Sequence, residues 1–216
     1  MKRSYRIIIT LCLTFLSCGQ ALAQHSGPYA GAFIGGNALM KAKASDDLGD
    51  FGLTFDKALQ GSAVLGWDFE PGNPVGEGRI ELEYTRRSNP LDQVKLVDGS
   101  FEGGGTVTSD SLLLNFFGIY HDNSSYAPYA GGGIGATRIE MSDLQVAGYP
   151  MGSGSAIVFA YQVGAGVDVA LTDHLNLDLG YRFFSSTRPT FTEVSGRKFD
   201  MDYSCYSAVL GLRLGF

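Results

Sequence analysis

Charged residues recur at every second position in several short stretches of this chain. Arg79, Glu81 and Glu83 alternate, as do Asp178 and Arg182, and Asp68, Asp168 and Arg213 stand at equivalent points of similar stretches. If these stretches are strands, each set points to one face of a sheet, because side chains alternate with period two. Carboxylates gathered this way could work as general acid and base or line a path for ions. They could also be neutralised by Arg79, Arg182 and Arg213, since charges held away from water need partners.

Other chemistry finds little support. His25, His121 and His174 are the 3 histidines, the first near the amino terminus and the others in short turn-like segments. Neither a nucleophile–histidine arrangement nor a zinc-ligand spacing is present, so no catalytic, cofactor or metal residues are assigned. Gly103-Gly104-Gly105 and Gly131-Gly132-Gly133 lack the lysine and following helix of a phosphate loop. The first reads as a mobile loop, the second as tight strand packing. A carboxylate-only enzyme stays open.

The elements that must position these residues are strands. Eight stretches read as strands: about 29–38, 61–69, 78–87, 109–120, 127–138, 159–169, 175–183 and 204–216, the glycine-rich first and fifth with ambiguous facing and the fourth with a weaker separation. In the third, Ile80, Leu82 and Tyr84 oppose Arg79, Glu81 and Glu83, and in the seventh, Leu177, Leu179 and Tyr181 oppose Asp178, Gly180 and Arg182. In the last, Tyr206, Ala208, Leu210, Leu212, Leu214 and Phe216 form one apolar phase, opposite Cys205, Ser207, Gly211 and Arg213. The 30 glycines, with only 7 prolines and many aromatics, favour closely packed strands.

The amino terminus reads as an export signal. Lys2, Arg3 and Arg6 precede an apolar run from Ile7 to Leu16 and the small-residue cleavage site Ala21-Leu22-Ala23. Residues 1–23 are therefore expected to be removed, leaving 24–216 as one domain. A lipoprotein signal at Cys18 is the alternative, and Phe15 stands against it. Cleavage takes three of the 16 basic residues and none of the 22 acidic ones, moving the net charge from −6 to −9. That balance argues against nucleic acid as a partner. It also leaves Cys205 as the single cysteine, so an internal disulfide is impossible.

No segment after the signal has the roughly eighteen unbroken apolar residues of a membrane helix, so a membrane-spanning form must be a closed barrel. The connections around residues 70–75, 121–126 and 170–174 are short. Those around Asp46-Asp47, Asp92–Thr108, Met141–Gly154 and Ser185–Asp202 are long. Short turns on one rim and long loops on the other are the asymmetry of an outer-membrane barrel. A soluble lipocalin-like barrel would instead turn the apolar phase inward. Export, the glycine content of the polar phase and aromatics near strand ends (Tyr29, Trp67, Phe69, Tyr84, Tyr120, Tyr129, Tyr181, Phe183, Phe216) favour the membrane arrangement, with those aromatics as interface girdles.

Gly27-Pro28-Tyr29-Ala30-Gly31, Arg79-Ile80-Glu81-Leu82-Glu83-Tyr84, Pro128-Tyr129-Ala130-Gly131-Gly132-Gly133-Ile134-Gly135 and the terminal Phe216 resemble the eight-stranded outer-membrane barrel superfamily of opacity-type surface proteins and the outer-membrane protein A transmembrane domain. The resemblance implies an all-β, antiparallel, up-and-down transmembrane β-barrel in the bacterial outer membrane, surrounded by outer-membrane lipid. It also implies recognition by the outer-membrane assembly machinery through a carboxy-terminal signal of Tyr206, Leu212, Leu214 and Phe216. Against the outer-membrane protein A pattern, the barrel is expected to stand without a peptidoglycan-binding domain after it.

Within such a barrel Asp68, Arg79, Glu81, Glu83, Asp178, Arg182 and Arg213 are expected to form a lumen charge plug, because eight strands leave room only for side chains. The resemblance implies a non-enzymatic role carried by the long loops, as an adhesin or surface antigen for an unknown host or surface ligand. Ser88–Thr108 and Ser185–Asp202 mix charges with aromatics such as Phe101, Phe191 and Phe199, and shortening both is expected to leave the barrel folded. The alternatives are an outer-membrane lipid-modifying or proteolytic enzyme and a narrow ion channel.

Overall fold

The computed structural model describes residues 26–46, 49–69, 77–96, 99–120, 125–192, 196 and 198–216. Residues 1–23, expected to be an export signal, His25 and His121 lie outside the described residues. Twelve strands run through the described part, and eight of them close a ring. They are β1 (Gly27–Leu39), β4 (Ala58–Asp68), β5 (Gly78–Leu96), β6 (Gly99–Ile119), β7 (Tyr126–Val146), β8 (Tyr149–Ala170), β9 (Leu175–Ser186) and β12 (Ser204–Gly215). Each pairs antiparallel with the next in that order, and β12 returns to β1 through Tyr29↔Gly215 to Leu39↔Cys205. Closure leaves no free edge, which strands in lipid require.

Outside faces the apolar phase. Leu65, Leu82, Leu114, Ile134, Val163, Leu179 and Leu212 are exposed around the ring, while Arg79, Glu81, Asn115, Gln162, Asp178 and Arg213 are buried within it. This is the reverse of a soluble barrel and suits a lipid surround.

Among the described residues, most of the long connections are strand rather than loop. β5 and β6 continue as a paired hairpin to Leu96↔Gly99, and β7 and β8 to Val146↔Tyr149. Ala147 and Gly148, both at positive φ, turn that second hairpin. β2 (Ala42–Asp46) and β3 (Gly49–Phe55) form another hairpin, and β10 (Thr190–Thr192) pairs with β11 (Lys198–Met201). The order β10-β11-β2-β3-β5 extends the wall beyond the apolar band. There β10 lies beside β8 with no ladder between them among the described residues. A second ring, built from β5–β8 and these shorter strands, therefore stacks on the first and is closed at that seam by side chains.

The chemistry of the inward face changes along the barrel axis, most plainly on β5. On β5 the inward phase runs Arg79, Glu81, Glu83, Thr85, Arg87 and Asn89, then turns apolar at Leu91 and Val94. The outward phase is Ile80, Leu82 and Tyr84, then Arg86 and Ser88. Where lipid surrounds the wall the apolar residues are spent outside; where water surrounds it they turn inward. Leu91, Val94, Val107, Ile139, Met141 and Leu144 thus share a buried cluster with Leu53, Phe191, Phe199 and Tyr203.

Bulges lie just above this change, at Pro90/Gln93, Gly104/Thr106 and Met141/Leu144. Gly105 takes φ +96°, and a side chain there would come within 2.5 Å of the Asp143 carbonyl. Gly103-Gly104-Gly105 is therefore part of a strand rather than a mobile loop.

Inside the membrane ring, glycines seat aromatic rings. A Cβ at Gly211 would overlap the Phe33 ring, which is buried beside Arg182 with 5.2 Å from guanidinium carbon to ring centroid. Gly211→Val is expected to cost about 1–3 kcal/mol through this overpacking. Gly36→Ala, where nothing lies within 4 Å of the new carbon, should be neutral. Urea titration of both variants refolded in phosphatidylcholine vesicles checks this, and equal midpoints would refute the seating role.

Candidate functional site

The lumen is filled by two joined clusters. In the first, toward the end that carries the short turns, Arg79 is the hub. Its Nε lies 2.9 Å from Glu81 and one Nη 3.0 Å from Asp178, and the other Nη pairs with Asp168. Arg213 approaches from the opposite wall, 2.5 Å from Asp168, 3.1 Å from Asp68 and 3.7 Å from Asp178. The Tyr29 hydroxyl donates to Glu81 at 2.6 Å, and that of Tyr129 to Asp178 at 2.6 Å. Their rings also lie under guanidinium groups, Tyr129 at 4.1 Å from Arg79 and Tyr29 at 4.8 Å from Arg213.

Asp168 and Asp178 are cross-strand partners. Like charges directly opposite destabilise a sheet, so the two arginines are what permit them. The arrangement alternates sign in space and is buried on every side, which favours mutual neutralisation over acid–base work.

In the second cluster Glu83 is the hub. Arg182 pairs with it, Thr85 donates to Oε1 at 2.6 Å, and Asn115 and Gln162 donate to Oε2 at 2.7 and 2.8 Å. Gln162 also donates to Asn115 at 2.8 Å. Above this, Arg87 stacks 4.2 Å from the centroid of Phe184 and donates to Ser111 at 2.9 Å. Cys205 is a free, buried thiol in the same inward phase.

The structure brings Asp68, Arg79, Glu81, Asp178 and Arg213 into one cluster and places Glu83 with Arg182 in the next. Asp168 sits at the centre of the first cluster, and it was legible only as one more member of the polar phase. Tyr29 and Tyr129 are corrections, being buried lumen ligands of carboxylates rather than interface girdle residues. Their phase was the available signal, since Tyr29 alternates with Gly31, Phe33 and Gly35 on the inward face of β1. Trp67, Tyr84, Tyr120, Tyr181 and Phe216 do face outward.

The outer segments bring a further correction. Phe191 and Phe199 are buried with ring centroids 5.7 Å apart, not displayed. Phe101 and Tyr149 are exposed. Arg188 pairs with Asp202 at 2.7 Å on the surface, while Glu193 and Arg197 lie outside the described residues. Tyr206, Leu212, Leu214 and Phe216 form an exposed outward column on β12. Of the histidines, His174 is exposed in the turn before β9.

Known proteins agree with this architecture. The family model for the outer membrane protein beta-barrel domain matches residues 8–213. Outer membrane protein PagN of Salmonella typhimurium is 24% identical over 148 residues, which is 62% of this chain and 59% of the length of PagN. Outer membrane protein OprG from Pseudomonas aeruginosa is similar in structure, with TM-score 0.57 at 16% identity over 90% of this chain and 99% of that one. The outer membrane protease OmpT from Escherichia coli gives TM-score 0.53 at 10% identity over 88% and 97%. At these identities the structures speak to fold alone. With its closed ring, outward apolar band and charged interior, the chain belongs to the outer membrane protein beta-barrel domain family and is a protein of the bacterial outer membrane.

Proposed function

We propose that this protein is a non-catalytic surface barrel whose outer ring is a rigid binding platform for a ligand outside the cell. The observation that carries the reading is the apolar core shared by the outer hairpins. Ordering so much chain beyond the membrane costs conformational entropy, and a packed platform presents a fixed surface where a mobile loop would not. Phe101 and Tyr149 stand exposed near the tips of its two longest hairpins, and aromatics are favoured anchors at protein interfaces.

The expectation that the long connections could be shortened freely changes with this packing. Removing Ser88–Thr108 and Ser185–Asp202 would take Leu91, Val94, Val107, Phe191 and Phe199 from the buried cluster. Surface substitution separates binding from folding better. Phe101→Ser with Tyr149→Ser should leave heat-modifiable gel migration unchanged and sharply reduce attachment of cells displaying the barrel to host-cell monolayers. Attachment equal to that of the unaltered barrel would refute the platform reading.

The enzyme alternative is suggested by the word protease in the name of OmpT. The buried, arginine-held state of Asp168 and Asp178 speaks for the non-catalytic reading. The same clusters support a non-conducting lumen, so planar-bilayer recordings should lack steady ion-selective steps. Outer-membrane lipid around the apolar band, and capture of the β12 column of Tyr206, Leu212, Leu214 and Phe216 by the assembly machinery, complete the proposed partners.

A further inference from the structure

The lipid-facing wall is not evenly filled. On β7 the outward residues are Ala130, Gly132, Ile134 and Ala136, ending in Arg138. The columns on either side are bulky: Leu112, Leu114 and Phe116 on β6, and Phe159, Tyr161 and Val163 on β8. Register places Leu112 and Phe159 on either side of Ala136, and Leu114 and Tyr161 on either side of Ile134. Gly132 and Ile134 of β7 therefore floor a trough between two walls, an open groove of about 670 Å³ lined by Leu114, Phe116, Phe159, Tyr161 and Val163, and Ala136 between Leu112 and Phe159 continues its line toward Arg138.

Arg138 stands at the outer end of this trough, four residues and about 13 Å along the strand from Ile134, at the level where the outward face turns from apolar to charged. Its guanidinium is 56% exposed and pairs at 3.4 Å with Glu140, itself 47% exposed and farther from the apolar band. An exposed pair of that kind is weak, and a phosphate can compete for the guanidinium with two parallel charge-assisted bonds. On the neighbouring strands Asp110 faces Arg138 and is shared with Arg86 at 3.3 Å, so the acid nearest the groove already has a cationic partner.

We infer that the β7 trough and Arg138 form a site for a phosphorylated lipid of the outer leaflet. One acyl chain lies along Ala130–Ala136, and a headgroup phosphate rests on the guanidinium. The occupant follows from the two ends of the site, since an apolar channel inside the bilayer accepts a hydrocarbon chain and a cation at its water-side end selects an anionic headgroup.

The test is native mass spectrometry of the full barrel released from neutral-detergent micelles, titrated with diphosphorylated lipid A or with the same lipid after phosphatase treatment. The unaltered barrel should retain the phosphorylated form preferentially. Arg138→Gln should weaken that retention about tenfold or more and leave the dephosphorylated form unchanged. Ile134→Trp, which fills the trough from an exposed position, should weaken both forms. Heat-modifiable migration confirms that each variant is folded. Arg188→Gln, an exposed arginine elsewhere on the outer ring, should have no effect. Equal losses in Arg188→Gln and Arg138→Gln, or unchanged retention in both Arg138→Gln and Ile134→Trp, would overturn the site.

Discussion

Arg79→Met is expected to lower the stability of the refolded barrel by about 3–5 kcal/mol, the usual cost of removing one partner from a buried ionic network. Methionine fills comparable space, so packing changes little and electrostatics dominates. Arg79 serves Glu81, Asp168 and Asp178 at once. Without it, Asp168 and Asp178 face each other across the β8–β9 ladder, with Arg213 the remaining cation beside them among the described residues, 2.5 and 3.7 Å away. Adding Asp168→Asn and Asp178→Asn should recover much of the loss, because an absent charge needs no partner. Urea titration in vesicles, read by tryptophan fluorescence from Trp67, measures both. If Arg79→Met unfolds at the same urea concentration as the unaltered barrel, the lumen network contributes nothing and the plug reading fails.

Leu179→Arg tests the opposite face. Leu179 is exposed on β9, flanked in register by Val167 and Leu210, well inside the apolar band. Arginine at such a depth costs about 2–4 kcal/mol in a barrel. Ser155→Arg is the matched control, an exposed position in the same phase of β8 but beyond the band, and its effect should stay within about 0.5 kcal/mol. Folding yields into vesicles should separate the two. Equal yields would mean that the band does not face lipid.

These outcomes rest on features that were unequally legible in the sequence. Ile80, Leu82 and Tyr84 against Arg79, Glu81 and Glu83 gave strand, face and environment together, because a membrane strand writes its surroundings into a period of two. Membership of the lumen followed from that phase. Partnership did not, because which carboxylate meets Arg79 depends on the stagger of strands around the ring, and Asp168 and Asp178 are about ninety to a hundred residues from it in sequence.

The outer ring was hidden for another reason. Bulges at Pro90/Gln93, Gly104/Thr106 and Met141/Leu144 break the period just where the inward phase changes from polar to apolar. A pattern that loses step and reverses its chemistry reads as a loop. Phe191 and Phe199 looked like surface aromatics because nothing local shows the strands that cover them.

The alternation of inside and outside along the long strands also constrains how the exposed part of this protein can diversify. Above Arg86, Asp110 and Arg138 the walls keep their inside and outside by parity, reset at the row of bulges. Two residues added to each arm of the β7–β8 hairpin lengthen it and leave Ile139, Met141 and Leu144 inward. One residue added to a single arm turns every side chain beyond it through the wall, unless a new bulge absorbs the slip. Length variation among descendants of this gene should therefore come in even steps per strand, with odd steps confined to the bulge row or the hairpin tips. Descent with insertion and deletion would be quantised by the pleat of the sheet.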